Sequence, residues 1–155
     1  KKDHRETKRT NKISLKQNPV VHYNWQNTHR KEFNMPEQTT GDELRGHLRM
    51  FDGTVNWYKH PFNSNMHYTD GVKFFAESAS AYWFLDIVAT ELADLQETED
   101  FMSVELNVKN YKAKITADDG NGAVLWEKQI DFTDAPDGPW KFFFTNNVFY
   151  LPSEH

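Results

Sequence analysis

The 155-residue chain contains no cysteine, which excludes disulfide bonds and thiolate metal sites. It has no apolar run near the ~20 residues that a bilayer-spanning helix needs. The opening stretch KKDHRETKRTNKISLK has no apolar segment after its charges, so it does not predict a signal peptide. These absences predict a cytoplasmic protein that makes no membrane contact.

Sequence motifs of common chemistries are also missing. The chain has no phosphate-binding loop, no nucleophile elbow and no zinc-ligand spacing. The sequence therefore predicts no cofactor, no metal site and no catalytic residue, and it favours a protein that is not an enzyme. Aromatic residues are plentiful instead: 12 Phe, 6 Tyr and 5 Trp can fill the core of one domain of this length.

Charge is divided unevenly along the chain. Residues 1–32 carry nine Lys or Arg against three acidic residues, whereas the rest carries nine basic and 20 acidic residues. This asymmetry predicts a basic N-terminal extension, residues 1–40, joined to a single acidic domain, residues 41–155. The extension would either contact nucleic-acid phosphates or an acidic partner, or lie solvated against its own acidic domain. Its candidate binding residues are Lys8, Arg9 and Lys12.

The first part of the predicted domain contains short elements. TTGDELRGHLRMF predicts a helix capped by Thr40 or Asp42, because its apolar residues fall on one face. VNWYKHPF has the composition of an edge strand, since Pro61 cannot donate a hydrogen bond within a sheet. MHYTDGVKFFAES predicts a β-hairpin with Asp70-Gly71 as its two-residue turn.

The clearest helical pattern is SASAYWFLDIVATELADLQ, capped by Ser78 or Ser80. Alternation in FMSVELNVKNYKAKITADD and GAVLWEKQIDFTD then predicts an antiparallel meander with turns at NYK and DDGNG. The predicted fold class is α+β: an antiparallel sheet covered on one face by one long helix, with an extra N-terminal arm. The residues of the helix that should face the sheet are Ala81, Phe84, Leu85, Val88, Leu92 and Leu95.

The stretch KFFFTNNVFYLPSEH predicts a terminal strand, or a pair turned at Asn146-Asn147, that closes the sheet. Side chains alternate along a strand, so Phe142 and Phe144 share one face and Phe143 takes the other, joined by Phe149 or Leu151. The second face needs its own cover. The sequence therefore predicts either that the Val20–Trp25 run of the extension folds across this face or that the protein forms a homodimer through it.

Four segments are familiar in combination: FDGTVNWYKHPF, YTDGVKFFAESASAYWFLDIVA, ITADDGNGAVLWEKQIDFTD and FTNNVFYLPSEH. In order and spacing they resemble a family of small uncharacterised proteins, a domain of unknown function carried on plasmids, phages and integrating elements. The resemblance covers residues 51–155 and implies a setting in mobile DNA, but no activity that can be transferred. Small accessory proteins in that setting often act against host defence or help to maintain the element.

His60, His67 and Asp70, together with Asp52, flank the predicted hairpin. They could form a carboxylate–imidazole cluster for metal binding or acid–base work, which is the basis for an alternative function as a small metal-dependent hydrolase or nuclease. Their spacing matches no metalloenzyme motif. The plainer interpretation is that these histidines are exposed or satisfied in the core.

Three other features have both a chemical and a structural interpretation. DDGNG resembles a calcium loop but lacks ligands at the third and twelfth positions, which favours a tight hairpin turn. Asp86, within an apolar stretch, is either a buried site carboxylate or an exposed helix acid. An aromatic set could stack nucleic-acid bases beside Lys59 and Lys141, or could belong to the core. The aromatic set is Trp57, Tyr58, Trp140 and Phe142.

The leading functional prediction is a mobile-element accessory protein that binds and occludes a host protein or ribonucleoprotein, for example as an anti-CRISPR-like inhibitor. An acidic domain can offer carboxylates where a basic channel would otherwise hold phosphates. The candidate acidic patch is Glu97, Glu99 and Asp100, after the predicted long helix. Besides the hydrolase or nuclease, the other alternative is a nucleic-acid-binding protein that uses the basic arm.

Overall fold

A seven-stranded sheet organises the part of the chain that the structure, a computed structural model, describes: residues 39–155. In space the strand order is β1-β2-β7-β6-β3-β4-β5, and neighbours run antiparallel except β2 and β7, which are parallel. The predicted extension with Lys8, Arg9 and Lys12 lies outside the described residues, and the division of the chain at residue 40 stays a prediction. The strands are β1 (Trp57–Lys59), β2 (His67–Thr69), β3 (Phe101–Lys109), β4 (Lys112–Asp118), β5 (Val124–Ile130), β6 (Gly138–Thr145) and β7 (Val148–Tyr150).

Short helices cover one face of this sheet. As predicted, Thr40 caps the first helix: its hydroxyl accepts a hydrogen bond from the amide of Glu43, whose carboxylate accepts one from the Thr40 amide. None of the helices within residues 39–155 has the length and apolar character needed to cross a membrane. The helices are α1 (Gly41–Leu48), α2 (Asp70–Ser78) and α3 (Tyr82–Ile87), the last continued by a π-helical turn (Val88–Leu92) and a 3-10 turn (Ala93–Glu97); a 3-10 turn (Pro152–Glu154) follows β7.

The core lies between these helices and the sheet. In β6, Phe142 and Phe144 are fully buried, and the Phe142 ring lies 5.3 Å from the ring of Phe84 on α3. Aromatic rings at such distances add specific edge and offset contacts to the burial of apolar surface. The predicted helical stripe is confirmed, and five of its residues have no exposed surface: Ala81, Phe84, Leu85, Val88 and Leu92.

The predicted antiparallel sheet is wrong, because the sheet is mixed. Asn146 and Asn147 have φ values of 50° and 57°, so they turn β6 tightly into β7, as the sequence predicted. The other side of β7 then receives β2 in parallel, and the His67 amide donates to the Asn147 carbonyl at 2.8 Å. A pairing between strands so distant along the chain leaves no trace in local hydrophobic periodicity.

The single long helix is also wrong, because the helices contain eight, nine and six residues. Ser80 has a φ of 51°, a left-handed conformation that separates α2 from α3. Beyond Ile87 the helix widens into the π turn, where the Thr90 hydroxyl donates to the Asp86 carbonyl at 2.7 Å. The apolar stripe is therefore continuous although the α-helical backbone is not.

The hairpin predicted at Asp70-Gly71 does not exist. Thr69 ends β2 and is the N-cap of α2, which begins at Asp70. Gly71 is needed for a close approach, since a Cβ there would press on Leu151 and lie 2.8 Å from the Glu154 carboxylate. The glycine thus marks where the C-terminal segment packs against α2.

The face of the sheet opposite α1, α2 and α3, here called the open face, carries Phe143. This ring contacts Phe101 and Tyr150, with centroid distances of 5.0 and 5.8 Å. His155 stacks on Tyr150 and meets the edge of Phe143, so the C-terminal residues cover part of the open face. Phe149, which the sequence paired with Phe143, is instead buried against the helices. The folded-back arm and the homodimer stay predictions.

Candidate functional site

Asp70 fixes the loop that precedes β1. Its carboxylate accepts hydrogen bonds from the Tyr58 hydroxyl at 2.8 Å, the Val55 amide at 2.9 Å and the Thr54 hydroxyl at 3.1 Å. The backbone amide and side-chain amide of Asn56 donate to it as well. The hydrogen bond from Tyr58 and the two backbone amides hold the pKa of this carboxyl well below its usual range. The loop around Val55 therefore has a defined conformation.

Large apolar side chains are exposed along this loop and strand. Seven such residues are exposed within the described part of the chain, and four of them lie between positions 50 and 62. The four, here called the edge surface, are Met50, Val55, Trp57 and Phe62, with exposed fractions of 78%, 85%, 58% and 73%. Single exposed apolar residues are ordinary, but a concentration of them in one segment indicates an interaction site.

A groove of about 390 Å³ lies beside the edge surface. Met50 and Val55 form part of its wall, and Phe74 of α2 forms another part. Lys73 also lines the groove, and its ammonium lies 4.6 Å from the centre of the Tyr58 ring. The lining of the groove thus combines apolar side chains with charged ones, among them Asp52 and Glu77, so an apolar side chain entering from outside can contact Met50, Val55 and Phe74.

β1 also presents backbone groups to the outside, because it is an edge strand of the sheet. The His60 amide donates to the Met66 carbonyl of the neighbouring segment at 2.9 Å. Hydrogen-bonded positions alternate in an antiparallel pair, so Tyr58 also faces β2 whereas Trp57 and Lys59 direct their amides and carbonyls away from the sheet. A further strand could pair with these two residues.

The family to which the chain belongs follows from its sequence. Residues 42–155 match the model of a family of unknown function, DUF6876. The chain belongs to this family. The predicted resemblance to a family of uncharacterised proteins is therefore confirmed, while the setting in mobile DNA stays a prediction. No curated protein and no solved structure matches the DUF6876 chain.

The predicted carboxylate–imidazole cluster does not form in the DUF6876 domain. His60 is buried, and its Nε2 lies 2.9 Å from an Asp86 carboxylate oxygen. Its Nδ1 accepts a hydrogen bond from the Phe62 amide, so Nε2 carries the proton and neither ring nitrogen is free for catalysis. Asp70 is occupied by its own loop, and Asp52 is exposed. Within residues 39–155 no three His, Asp or Glu side chains are placed to share one metal ion.

Polar residues join three of the four familiar segments to one another. Asp70 binds the Thr54–Tyr58 loop, and Asp86 binds His60. Glu154 accepts hydrogen bonds from the Thr69 hydroxyl at 2.5 Å and the Gly71 amide at 2.8 Å, which ties the C-terminal turn to the start of α2. Sequence analysis missed Glu154, because nothing local distinguishes it from a surface acid.

The DDGNG segment is a turn, as its structural interpretation predicted. Asp118 accepts a hydrogen bond from the Gly120 amide at 2.7 Å. Asp119 accepts from the amides of Asn121 and Ala123. Both carboxylates therefore stabilise their own turn, in the manner of Asx turns.

The predicted base-stacking set is divided between the two faces of the sheet. Trp140 and Phe142 are buried with exposed fractions of 3% and 0%, so they belong to the core. Trp57 and Tyr58 are adjacent in β1 and point to opposite faces. The core interpretation therefore holds for Trp140 and Phe142, and the four side chains share no face on which they could stack bases together.

The predicted acidic patch belongs to a larger group of carboxylates, here called the acidic turn: Asp94, Glu97, Glu99 and Asp100. Within the described residues, none of these side chains makes a hydrogen bond or an ion pair. The sequence from Phe74 to Val108 contains no Lys, Arg or His to neutralise them. Asp94 and Glu97 also line a polar concavity of about 410 Å³. Its other polar walls come from Asn63, Asn65, Gln96 and Asn147.

Sequence analysis did not find the edge surface. Val55 and Phe62 begin and end VNWYKHPF, the stretch predicted as an edge strand, whereas β1 contains only Trp57–Lys59. Large apolar residues at a predicted sheet edge are the signal that could have indicated the surface. The conformation of the loop around Val55 depends on hydrogen bonds to Asp70, which is remote in sequence.

Proposed function

We propose that this chain is a non-enzymatic binding protein that docks on a partner protein through its edge surface. The observation that carries the proposal is the concentration of exposed apolar side chains at a free strand edge with a fixed loop. A surface that is already ordered loses less conformational entropy on binding. Preorganised apolar residues beside unpaired backbone groups are what a protein-binding site requires.

The occupant of the edge surface is an extended segment of the partner that adds a strand beside β1. Its backbone pairs with Trp57 and Lys59, and an apolar side chain of the segment enters the groove beside Val55. Main-chain hydrogen bonds contribute affinity in this mode, whereas the groove selects the side chain. Extended polypeptide is the occupant with both features that the site addresses, backbone hydrogen-bonding groups and apolar side chains at alternate positions.

The acidic turn supplies a second contact, to a basic region of the partner. Its four carboxylates have no ion-pair partner within the described residues, so they lose no internal interaction when they meet Lys or Arg. Such charges accelerate association and discriminate against acidic surfaces. A host protein or ribonucleoprotein with a basic nucleic-acid channel fits this surface, because carboxylates then stand where phosphates would bind.

The specific function that we propose is that of a cytoplasmic accessory protein of a mobile element. The protein occludes a host defence complex, as an anti-CRISPR-like inhibitor does. What supports this form is the acidic turn, whose carboxylates are available to a basic nucleic-acid channel. The hydrolase or nuclease alternative is less favoured, since His60 has both ring nitrogens engaged.

The decisive experiment compares two exposed valines, one in the loop before β1 and one on the outer strand β5. Val55→Asp changes the edge surface, and Val124→Asp makes the same change at an exposed position of β5. Each variant is expressed in a host with an active CRISPR system that is challenged with a targeted phage. We expect plaques with the wild-type protein and with Val124→Asp, and none with Val55→Asp, at equal melting temperatures. Equal behaviour of the two variants would exclude the edge surface as the docking site.

A second experiment tests the mode of docking. A photo-activatable amino acid replaces Trp57 in one variant and Val124 in another, and both are irradiated in the host extract. We expect the Trp57 variant to label one protein at an extended segment, and the Val124 variant to leave that segment unlabelled. If no plaques form even with the wild-type protein, the anti-CRISPR form is wrong, whereas a labelled partner would preserve the binding function.

A further inference from the structure

The open face of the sheet is charged at one end and aromatic at the other. Strand register fixes this arrangement: Lys109 lies opposite Lys112, and Asn107 lies opposite Lys114. Two residues from Asn107 along β3, Glu105 lies opposite Lys141 of β6. Phe143 of β6 lies one row further along the same face. A strand rises about 3.3 Å per residue, so the lysine row and the Phe143 row are about 20 Å apart.

Lys109 and Lys112 stand without a counter-charge. Both are exposed, and neither makes an ion pair within residues 39–155. They close the turn formed by Asn110 and Tyr111, which have φ values of 51° and 63°. Like charges directly opposite in a sheet repel each other, and a bound anion between the two ammonium groups relieves this repulsion. Three other lysines make ion pairs: Lys73 with Glu77, Lys114 with Glu127 and Lys128 with Glu91.

These lysines belong to a concavity of about 390 Å³ that provides further hydrogen-bond donors. Lys114 lines it but is shared with Glu127, at 3.0 Å. The amide groups of Asn107 and Gln129 line it too, and such groups can donate to phosphate or read the edge of a base. Glu105 is the one acid among the lining residues, and it lies opposite Lys141, which offsets its charge.

The aromatic end of the face suits unpaired bases. Phe143 is half-buried, the Lys141 ammonium lies 5.6 Å from its ring centre, and Phe101 lies beside it. Aromatic side chains interleaved with lysines bind single strands by stacking and by charge together. A duplex presents no free base faces, and the open face offers no helix that could enter a groove.

We propose that the open face binds single-stranded nucleic acid, with phosphates at Lys109 and Lys112 and a base against Phe143. The distance between these two ends corresponds to a strand of about four nucleotides, the lower end of sites on single-strand-binding folds. This site is independent of the edge surface and of the acidic turn. It uses residues that the proposed docking on a partner protein leaves exposed.

The test uses the full chain and a fluorescein-labelled oligothymidylate, titrated by anisotropy at several salt concentrations. We expect Lys109→Glu/Lys112→Glu to weaken binding at least tenfold and to lower the slope of log K against log salt by about 1.4, because each lost contact with a single strand contributes about 0.7. Arg49→Glu is a single charge-reversal control, since Arg49 is exposed at the end of α1 and belongs to none of the proposed sites. It should change the affinity less than threefold.

Phe143→Leu separates stacking from charge. We expect it to weaken binding several-fold without changing the salt slope, because a leucine keeps the apolar contact but offers no ring. The proposal is overturned if the lysine variant binds like the wild type, which would place binding in residues 1–38. It is equally overturned if a duplex of the same length binds as tightly as the single strand. Neither outcome affects the proposed protein-binding function, whose tests vary Val55, Trp57 and Val124 and leave Lys109, Lys112 and Phe143 unchanged.

Discussion

The carboxylate of Asp70 and the carboxylates of the acidic turn have opposite hydrogen-bonding environments. Asp70 accepts hydrogen bonds from two backbone amides, two hydroxyls and a side-chain amide, all from β1 and the loop before it. Asp94, Glu97, Glu99 and Asp100 accept none within the described residues. From the sequence alone, Asp70 is the stronger candidate for a catalytic carboxylate, because it lies near two histidines. The acids after α3 resemble ordinary surface residues.

This comparison shows that the number of hydrogen-bond partners distinguishes carboxylates that stabilise the fold from carboxylates that are available to bind another molecule. A carboxylate that already accepts several hydrogen bonds is stabilised in its charged form and is a poor proton acceptor for a substrate. An unpaired exposed carboxylate contributes little to stability but retains its interaction energy for a partner. Asp70 therefore shapes the edge surface, and the acidic turn remains free to meet another molecule.

The largest expected effect concerns the core that both regions share. Leu85→Ala removes a fully buried side chain between α3 and the sheet, so we expect the free energy of unfolding to fall by about 2–5 kcal/mol. Urea denaturation followed by tryptophan fluorescence measures it. Tyr82→Ala, at an exposed position of the same helix, is the control. If Leu85→Ala costs no more than Tyr82→Ala, the helices do not pack as described, and the contrast between the two regions loses its basis.

Local patterns predicted the elements whose causes are local. The stripe through Leu85 and Val88, the cap at Thr40 and the Asn146-Asn147 turn each depend on residues within a few positions of one another. The parallel pairing of β2 with β7 depends on strands that are remote in sequence. No periodicity encodes such a pairing, which explains why an antiparallel sheet was predicted.

The candidate site was less predictable than the fold for the same reason. Asp70-Gly71 has the composition of a hairpin turn, but the loop around Val55 and the Glu154 carboxylate supply hydrogen bonds that make it the start of a helix. His60 and Asp86 were each noticed separately, yet their contact joins two segments that sequence spacing does not relate. The exposure of Glu97 and Asp100 could be predicted directly, because exposure at the end of an apolar stripe is a local property, while their role in binding stays a prediction.

The next effect compares single carboxylates from the two regions. We expect Asp70→Ala to lower the melting temperature by several degrees, because the loop amides and the Tyr58 hydroxyl lose their acceptor. Asp94→Ala, the matched control from the acidic turn, should leave the melting temperature nearly unchanged. Differential scanning calorimetry of the two variants measures the difference. Equal melting temperatures would show that the Asp70 hydrogen bonds do not stabilise the fold.

A smaller effect appears in the pH dependence of stability. The Asp70 carboxyl has a pKa below its usual value in the folded protein, so its charged form stabilises the fold at any pH above about 4. This contribution is lost as the pH falls from about 4 towards the lowered pKa. We expect the melting temperatures of wild type and Asp70→Asn to differ at pH 7 and to converge as the pH drops below 4. A difference that stays constant down to pH 2 would refute the link between this carboxylate and stability.

The smallest expected change in stability comes from reversing charges in the acidic turn. Glu97→Lys, Glu99→Lys and Asp100→Lys together should alter the free energy of unfolding by no more than about 0.5 kcal/mol per site, because these side chains have no internal partners to lose. The same change should slow capture of a basic host partner at low salt and reverse the sign of its salt dependence, because salt then screens a repulsion instead of an attraction. Stopped-flow association at low and high salt measures both. The control reverses Glu105 and Glu127 on the open face, which alters net charge without touching the acidic turn. If both variants slow association equally, net charge rather than the acidic turn guides the encounter.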